Sequence, residues 1–114
     1  MEVEDVIFVD IDRPYEWLKH NREWLESHTK WLLSRLGYNV IKVEFKKSTN
    51  GNIHMFVYVD RKVPSHEERL HIMHALGCDL GLVAIAYARL KIFGDPLIRH
   101  FAKKIRCPKD KRKS

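Results

Sequence analysis

The stretch NVIKVEFKKSTNGNIHMFVYVDR, residues 39–61, limits what this chain can fold into more than any other part of it. Apolar and polar residues alternate on both sides of Asn50-Gly51, the pattern of two strands joined by a tight turn. Successive side chains of a strand point to opposite faces, so the length of the turn decides which residues share a face. A two-residue Asn50-Gly51 loop would set His54 across from Lys47, with Phe56 and Tyr58 beside Phe45 and Val43. A three-residue loop, Thr49-Asn50-Gly51 with Gly51 left-handed, pairs His54 with Lys46 and Phe56 with Glu44. Only the second gathers Ile41, Val43 and Phe45 with Ile53, Met55, Val57 and Val59 on one apolar face. That register is predicted.

Upstream, VIFVDIDRP (residues 6–14) reads as a strand that enters a core and ends in two aspartates, Asp10 and Asp12, on the same side. Like charges that close together are unfavourable unless a cation or a basic partner sits between them. The pair marks either a strand running out into a polar loop or a divalent-metal site. Pro14 suits the first position of a helix. From there to Leu36, Trp17, Trp24 and Trp31 recur at seven-residue spacing beside Leu18, Leu25 and Leu32, and Gly37 ends the run. This tryptophan stripe is expected in the core, with part of it available to a homodimer. Ser65-His66-Glu67-Glu68 forms a capping box for a helix reaching about Leu76. Asp79 caps a further helix, Leu80 to Phe93, which Gly94-Asp95-Pro96 ends. LIRHFAKKI, residues 97–105, fits a short helix or an edge strand.

Strand, helix, strand, strand, helix and a terminal element in that order predict an α+β chain. The expected fold is a ferredoxin-like (RRM-like) split βαβ sandwich, an antiparallel sheet with its helices on one face. In that topology the first and third strands are antiparallel neighbours, which brings Asp10 and Asp12 next to His54. Parity places Phe8, Asp10, Asp12, Lys42, Glu44, Lys46, His54, Phe56 and Tyr58 on the face away from the helices. Phe8, Phe56 and Tyr58 ringed by Lys42 and Lys46 would make a stacking platform for unpaired bases. Asp10 and Asp12 could hold Mg²⁺ or Mn²⁺ through oxygen, and His54 beside them could bind a nucleotide phosphate or a metal.

Charge sharpens the expected partner. From residue 99 onward eight Lys and Arg stand against one acid, Asp110, so that segment carries +7 of the chain's net +6 and the rest is close to neutral. A domain over residues 1–107 is therefore expected to bear a basic, disordered tail over 108–114. Lys109, Lys111, Arg112 and Lys113 of that tail suit sequence-independent phosphate contacts. No apolar run approaches the length of a membrane span and the acidic beginning lacks the shape of a signal peptide, so a cytoplasmic protein is expected. Cys78 and Cys107 match no metal spacing and read as free buried thiols or as one disulfide.

These residues resemble the archaeo-eukaryotic primase superfamily. VIFVDIDRP is similar to its D-x-D motif, and KKSTNGNIHMFV is similar to its second motif, a turn leading into a strand-borne histidine. HALGCDLGLVAIAYARLKIFG is similar to a recurring LGDDP…R…G segment of short primase-like proteins of archaea and their viruses or plasmids. The resemblance covers most of the chain in order and spacing. It implies an RRM-like palm for DNA replication in which Asp10 and Asp12 bind the divalent metal and His54 contacts the nucleotide. The third acid such enzymes carry on a later strand has no counterpart in LIRHFAKKI, so nucleotidyl transfer is expected to be reduced or lost. Two alternatives stand beside this one. An RRM-like module could bind single strands without catalysis. Tyr87, in a Y-x-x-x-K spacing with Lys91, could serve a nickase of the HUH class, although Asn52 stands where that class has the first histidine of its metal pair.

Overall fold

The computed structural model describes residues 2–78 and 80–94. Along them run β1 (Asp5–Pro14), a single 3-10 turn (Tyr15–Trp17), α1 (Leu18–Arg35), β2 (Val40–Lys47), β3 (Asn52–Val59), α2 (His66–Ala75) and α3 (Leu80–Phe93). The proposed cap Asp79, Asp95, Cys107, the terminal element at residues 97–105 and the basic arm with Lys109, Lys111, Arg112 and Lys113 lie outside the described residues. So does the expected domain boundary at 107.

The three strands form an antiparallel sheet in the order β1-β3-β2. β1 and β2 therefore run parallel, joined through α1, with β3 inserted between them, an arrangement compatible with a small split βαβ fold. The β2–β3 turn is the three-residue one. Lys46 pairs with His54 and Glu44 with Phe56, the Gly51 N–H donates to the Ser48 carbonyl at 2.9 Å, and Gly51 adopts φ 87°. A left-handed residue at that position is what a type I turn closed by a bulge demands, and glycine meets the demand without a Cβ penalty.

One face of the sheet carries the main core. Ile7, Val9 and Ile11 of β1 and Ile53, Met55, Val57 and Val59 of β3 pack against Leu18, Leu25 and Leu33 of α1, Leu70, Ile72 and Met73 of α2, and Val83 and Ala86 of α3. Thr29, fully buried on α1, directs its hydroxyl to the Met55 Sδ at 3.9 Å. Arg69 of α2 is a buried charge beside this core. Its guanidinium donates to the Asp5 carboxylate at 2.6 Å and to the Val6 carbonyl at 2.8 Å, which ties α2 to the start of β1. A buried charge that is both paired and hydrogen-bonded escapes most of its desolvation cost.

Three expectations change. Pro14 ends β1 in extended conformation (φ −60°, ψ 146°) rather than opening the helix. Ile41 leaves the helix-side face. The pairing jumps from Val40↔Val59 to Lys42↔Tyr58, and the extra residue of this bulge lets Ile41 pack with Val6, Phe8, Phe56 and Tyr58 while Val40 joins the main core. Of the tryptophan stripe, Trp17 packs half-buried against the main core, while Trp24 and Trp31 are 60% and 58% exposed. Two stripes share a seven-residue spacing, and along α1 it is the leucine side, with Leu18, Leu25 and Leu33, that faces the core.

Candidate functional site

Strand alternation sends Asp10 and His54 to the face opposite the helices, and the register sets them directly across from each other. His54 Nε2 lies 3.7 Å from Asp10 Oδ1, with the two side chains 29% and 30% exposed. Lys46 pairs with His54 from the other side, so His54 stands between an acid and a base on three adjacent strands. The Phe8 ring meets His54 edge-on, with ring centres 5.0 Å apart and planes at 77°. These contacts fix the imidazole on two sides. The β1–β3 register places Asp10 and Phe8 against His54, and the three-residue turn sets Lys46 across from it.

Asp12 takes a separate position. The β1–β3 register shifts between Ile11 and Pro14, and beyond that shift Asp12 is exposed and accepts a hydrogen bond from Asn52 Nδ2 at 3.3 Å. Asn52 is two residues before His54 on the same strand face, so both aspartates stand at one end of the sheet. Among the described residues no three His, Cys, Asp or Glu side chains form a group that could hold a metal ion. Asp10 with His54 and Asp12 with Asn52 are two adjacent pairs, which leaves two carboxylates rather than a cluster of three ligands at this strand end.

The expected aromatic platform is corrected. Phe8, Phe56 and Tyr58 are only 1%, 4% and 4% exposed, and with Val6 they form a second buried cluster. Their rings pack on one another, Phe8 to Phe56 at 5.3 Å, because apolar surface gains more from leaving water than from waiting for a ligand. No face of the three rings is free for a base. The polar edge of this cluster is internally paired as well. The Tyr58 hydroxyl donates to Glu44 Oε1 at 2.5 Å, Lys42 bridges Glu44 at 3.0 Å, and the Lys42 ammonium lies 5.4 Å from the centre of the Tyr58 ring. The Tyr58 hydrogen bond, followed by Lys42, holds the Glu44 carboxyl below its usual range. Burial, then the same hydrogen bond, pushes the Tyr58 phenol well above its own. Lys42 and Lys46 remain exposed.

Tyr87 is half-buried against the main core, with its ring 6.0 Å from that of His71. Asn52, at the position where a nickase would carry a histidine, is committed to Asp12. One contact near the site had no sequence signal. The Asp10 N–H donates to the Cys78 Sγ at 3.3 Å, because α2 ends in a left-handed Gly77 (φ 93°) with the Cys78 N–H returning to the Met73 carbonyl at 3.0 Å. That turn carries Cys78 back to β1. The Asn52–Asp12 bond, by contrast, follows from parity, since residues 52 and 54 share a face.

No helix among the described residues is long and apolar enough to cross a membrane. Comparison of the chain with protein-family models, with curated proteins and with solved structures returned no match.

Proposed function

We propose that this chain is a nucleic-acid-binding protein of DNA replication, acting in the cytoplasm on a ferredoxin-like, primase-like palm. Asp10 and Asp12 would hold one Mg²⁺ or Mn²⁺ ion, and His54 would contact the phosphate of a nucleotide or strand end. The observation that carries this reading is the Asp10–His54 pair, 3.7 Å apart, with Lys46 across from His54 and Asp12 at the same strand end. Mg²⁺ keeps several waters and commonly needs only one or two protein carboxylates beside a substrate phosphate. The donor set of Asp10 and Asp12 fits that demand. It does not fit a pair of ions, which requires further carboxylates. When bound, the ion supplies neutralising charge at the phosphate. The protein's own part is to orient His54 through Asp10 and Phe8, and to add the cations Lys42 and Lys46 at the same face.

The partner is DNA or RNA, single-stranded, held by phosphate contacts from Lys42, Lys46, Lys109, Lys111, Arg112 and Lys113 rather than by stacking on the sheet. A second reading, binding without catalysis, is favoured by one observation: among the described residues no third acidic side chain joins the aspartates.

Mn²⁺ binding by electron paramagnetic resonance, read alongside nucleotide incorporation and nicking on single-stranded DNA, tests the proposal. Asp10→Asn and Asp12→Asn should each weaken Mn²⁺ binding, and His54→Ala should spare the metal but weaken nucleotide binding. Unchanged Mn²⁺ affinity in both aspartate variants would sink the metal site. Strand binding without incorporation in the wild type selects the non-catalytic reading, and a covalent Tyr87–DNA adduct would identify a nickase instead.

A further inference from the structure

The outer flank of α1 carries an ordered aromatic ridge. Trp24 stacks on His28 with ring centres 5.4 Å apart and planes at 3°. His28 continues to Trp31 at 6.4 Å and 26°, Trp17 closes one end edge-on to Trp24 at 6.5 Å, and the Arg35 guanidinium lies 5.6 Å from the centre of the Trp31 ring at the other. Beside the ridge runs a groove between α1 and α2. One part, about 280 Å³, is lined by Trp24, His28, Ala75 and Leu76 among others. The next, about 480 Å³, is lined by Leu32, Leu36, His71, Ile72 and Ala75 with Glu68. Ala75 belongs to both.

A helix that serves only its own core carries one apolar stripe and a polar opposite face. A second stripe, strictly seven residues apart, is the pattern of a helix that also packs along another helix. We propose that this face pairs with a second copy of the chain, α1 against α1, antiparallel about a two-fold axis between Ser27 and His28. That axis sets Trp24 of each copy across from Trp31 of the other, and Asn21 across from Ser34. The contact is isologous and closes at two subunits.

Area supports the choice of a second copy. Trp24 and Trp31 each leave about 150 Å² in water and Leu36, 48% exposed, about 90 Å² more. That is roughly 400 Å² of apolar surface per copy, the size of the largest and often functional patch on a monomer. Two copies supply about 800 Å², which at an apolar share near 60% corresponds to an interface of roughly 1,300 Å², within the range of specific complexes.

Sedimentation velocity on the full chain, across a concentration series without nucleic acid, tests this directly. A monomer–dimer equilibrium is expected, with tryptophan emission shifting to shorter wavelength as dimer forms. Trp24→Ala/Trp31→Ala should raise the dimer dissociation constant about tenfold or more, while far-ultraviolet circular dichroism stays unchanged because neither side chain is in the core. Trp31→Lys is the second variant, and it should also be monomeric. A wild type that stays monomeric at high concentration overturns the proposal. So does a dimer indifferent to both variants, a dimer broken instead by Ile85→Arg on α3, or a monomer whose tryptophans are quenched only by single-stranded DNA. None of these outcomes depends on Asp10, Asp12 or His54, so the metal proposal stands or falls separately.

Discussion

Replacing Phe56 by alanine separates a buried cluster from a binding platform. The ring is 4% exposed and sits among Val6, Phe8, Tyr58 and Ile41 on the middle strand of the sheet. Nearly all of a phenylalanine side chain, some 150–200 Å², would lose its contacts, worth about 4–5 kcal/mol at 25 cal/mol per Å². Phe→Ala changes in cores fall in the range of about 3–5 kcal/mol. A loss of about 4 kcal/mol should lower Tm by roughly 15 °C for a chain of this length. That loss is a large part of the whole stability of a small domain. Urea unfolding followed by circular dichroism measures it, with the midpoint moving and the slope unchanged. Affinity for a single-stranded oligonucleotide, corrected for the folded fraction, should stay near that of the wild type. The reasoning fails if Phe56→Ala costs under about 1 kcal/mol and weakens oligonucleotide binding instead, because Phe56 would then be a contact surface.

Burial, and next the hydrogen bond to Glu68, push the Tyr38 phenol up to about 12 from 10.0. A group raised on folding stabilises fully below its unfolded value and loses that contribution as pH rises through its folded one. Alkaline destabilisation between about pH 10 and pH 12 is therefore expected, and Tyr38→Phe should flatten it in urea midpoints taken across that range. Arg69→Met removes the cation of a buried pair and leaves the Asp5 carboxylate with only the Val6 and Val63 N–H donors; a cost of about 3 kcal/mol is expected in the same unfolding assay. Deleting residues 108–114 removes Lys109, Lys111, Arg112 and Lys113 against Asp110. Filter binding across salt concentrations should show weaker affinity for any nucleic acid and a slope shallower by roughly two to four ion equivalents.

What could be read from the residues alone was whatever strand parity decides. The turn at Gly51, the pairings of His54 with Lys46 and Asp10, and the side of the sheet that packs on the helices all follow from a period of two. Parity is silent on two kinds of feature. It says which face a side chain takes but not whether that face is covered, so Phe8, Phe56 and Tyr58 were legible as neighbours and not as buried. It also assumes regular strands, and both places where a strand breaks register, at Ile41 and after Ile11, altered the outcome. The helical period has a similar blind spot. Two stripes at seven-residue spacing on α1 look alike in sequence, and the choice between Leu25 and Trp24 for the core depends on the angle at which the helix meets the sheet.

The bulge at Ile41 also bears on how the sheet could grow. Among the described residues β2 is paired only through β3, which leaves its other side as an edge. A long regular edge offers a row of N–H and C=O groups that templates strand addition from another chain. Here the row is interrupted at Ile41, and the strand carries Lys42, Lys46 and Lys47, all exposed. An incoming strand would meet a broken hydrogen-bond register and concentrated positive charge. The β2 edge is thereby guarded against aggregation through strand-on-strand growth, and Lys42 and Lys46, on the face of His54, keep the surface beside it in water.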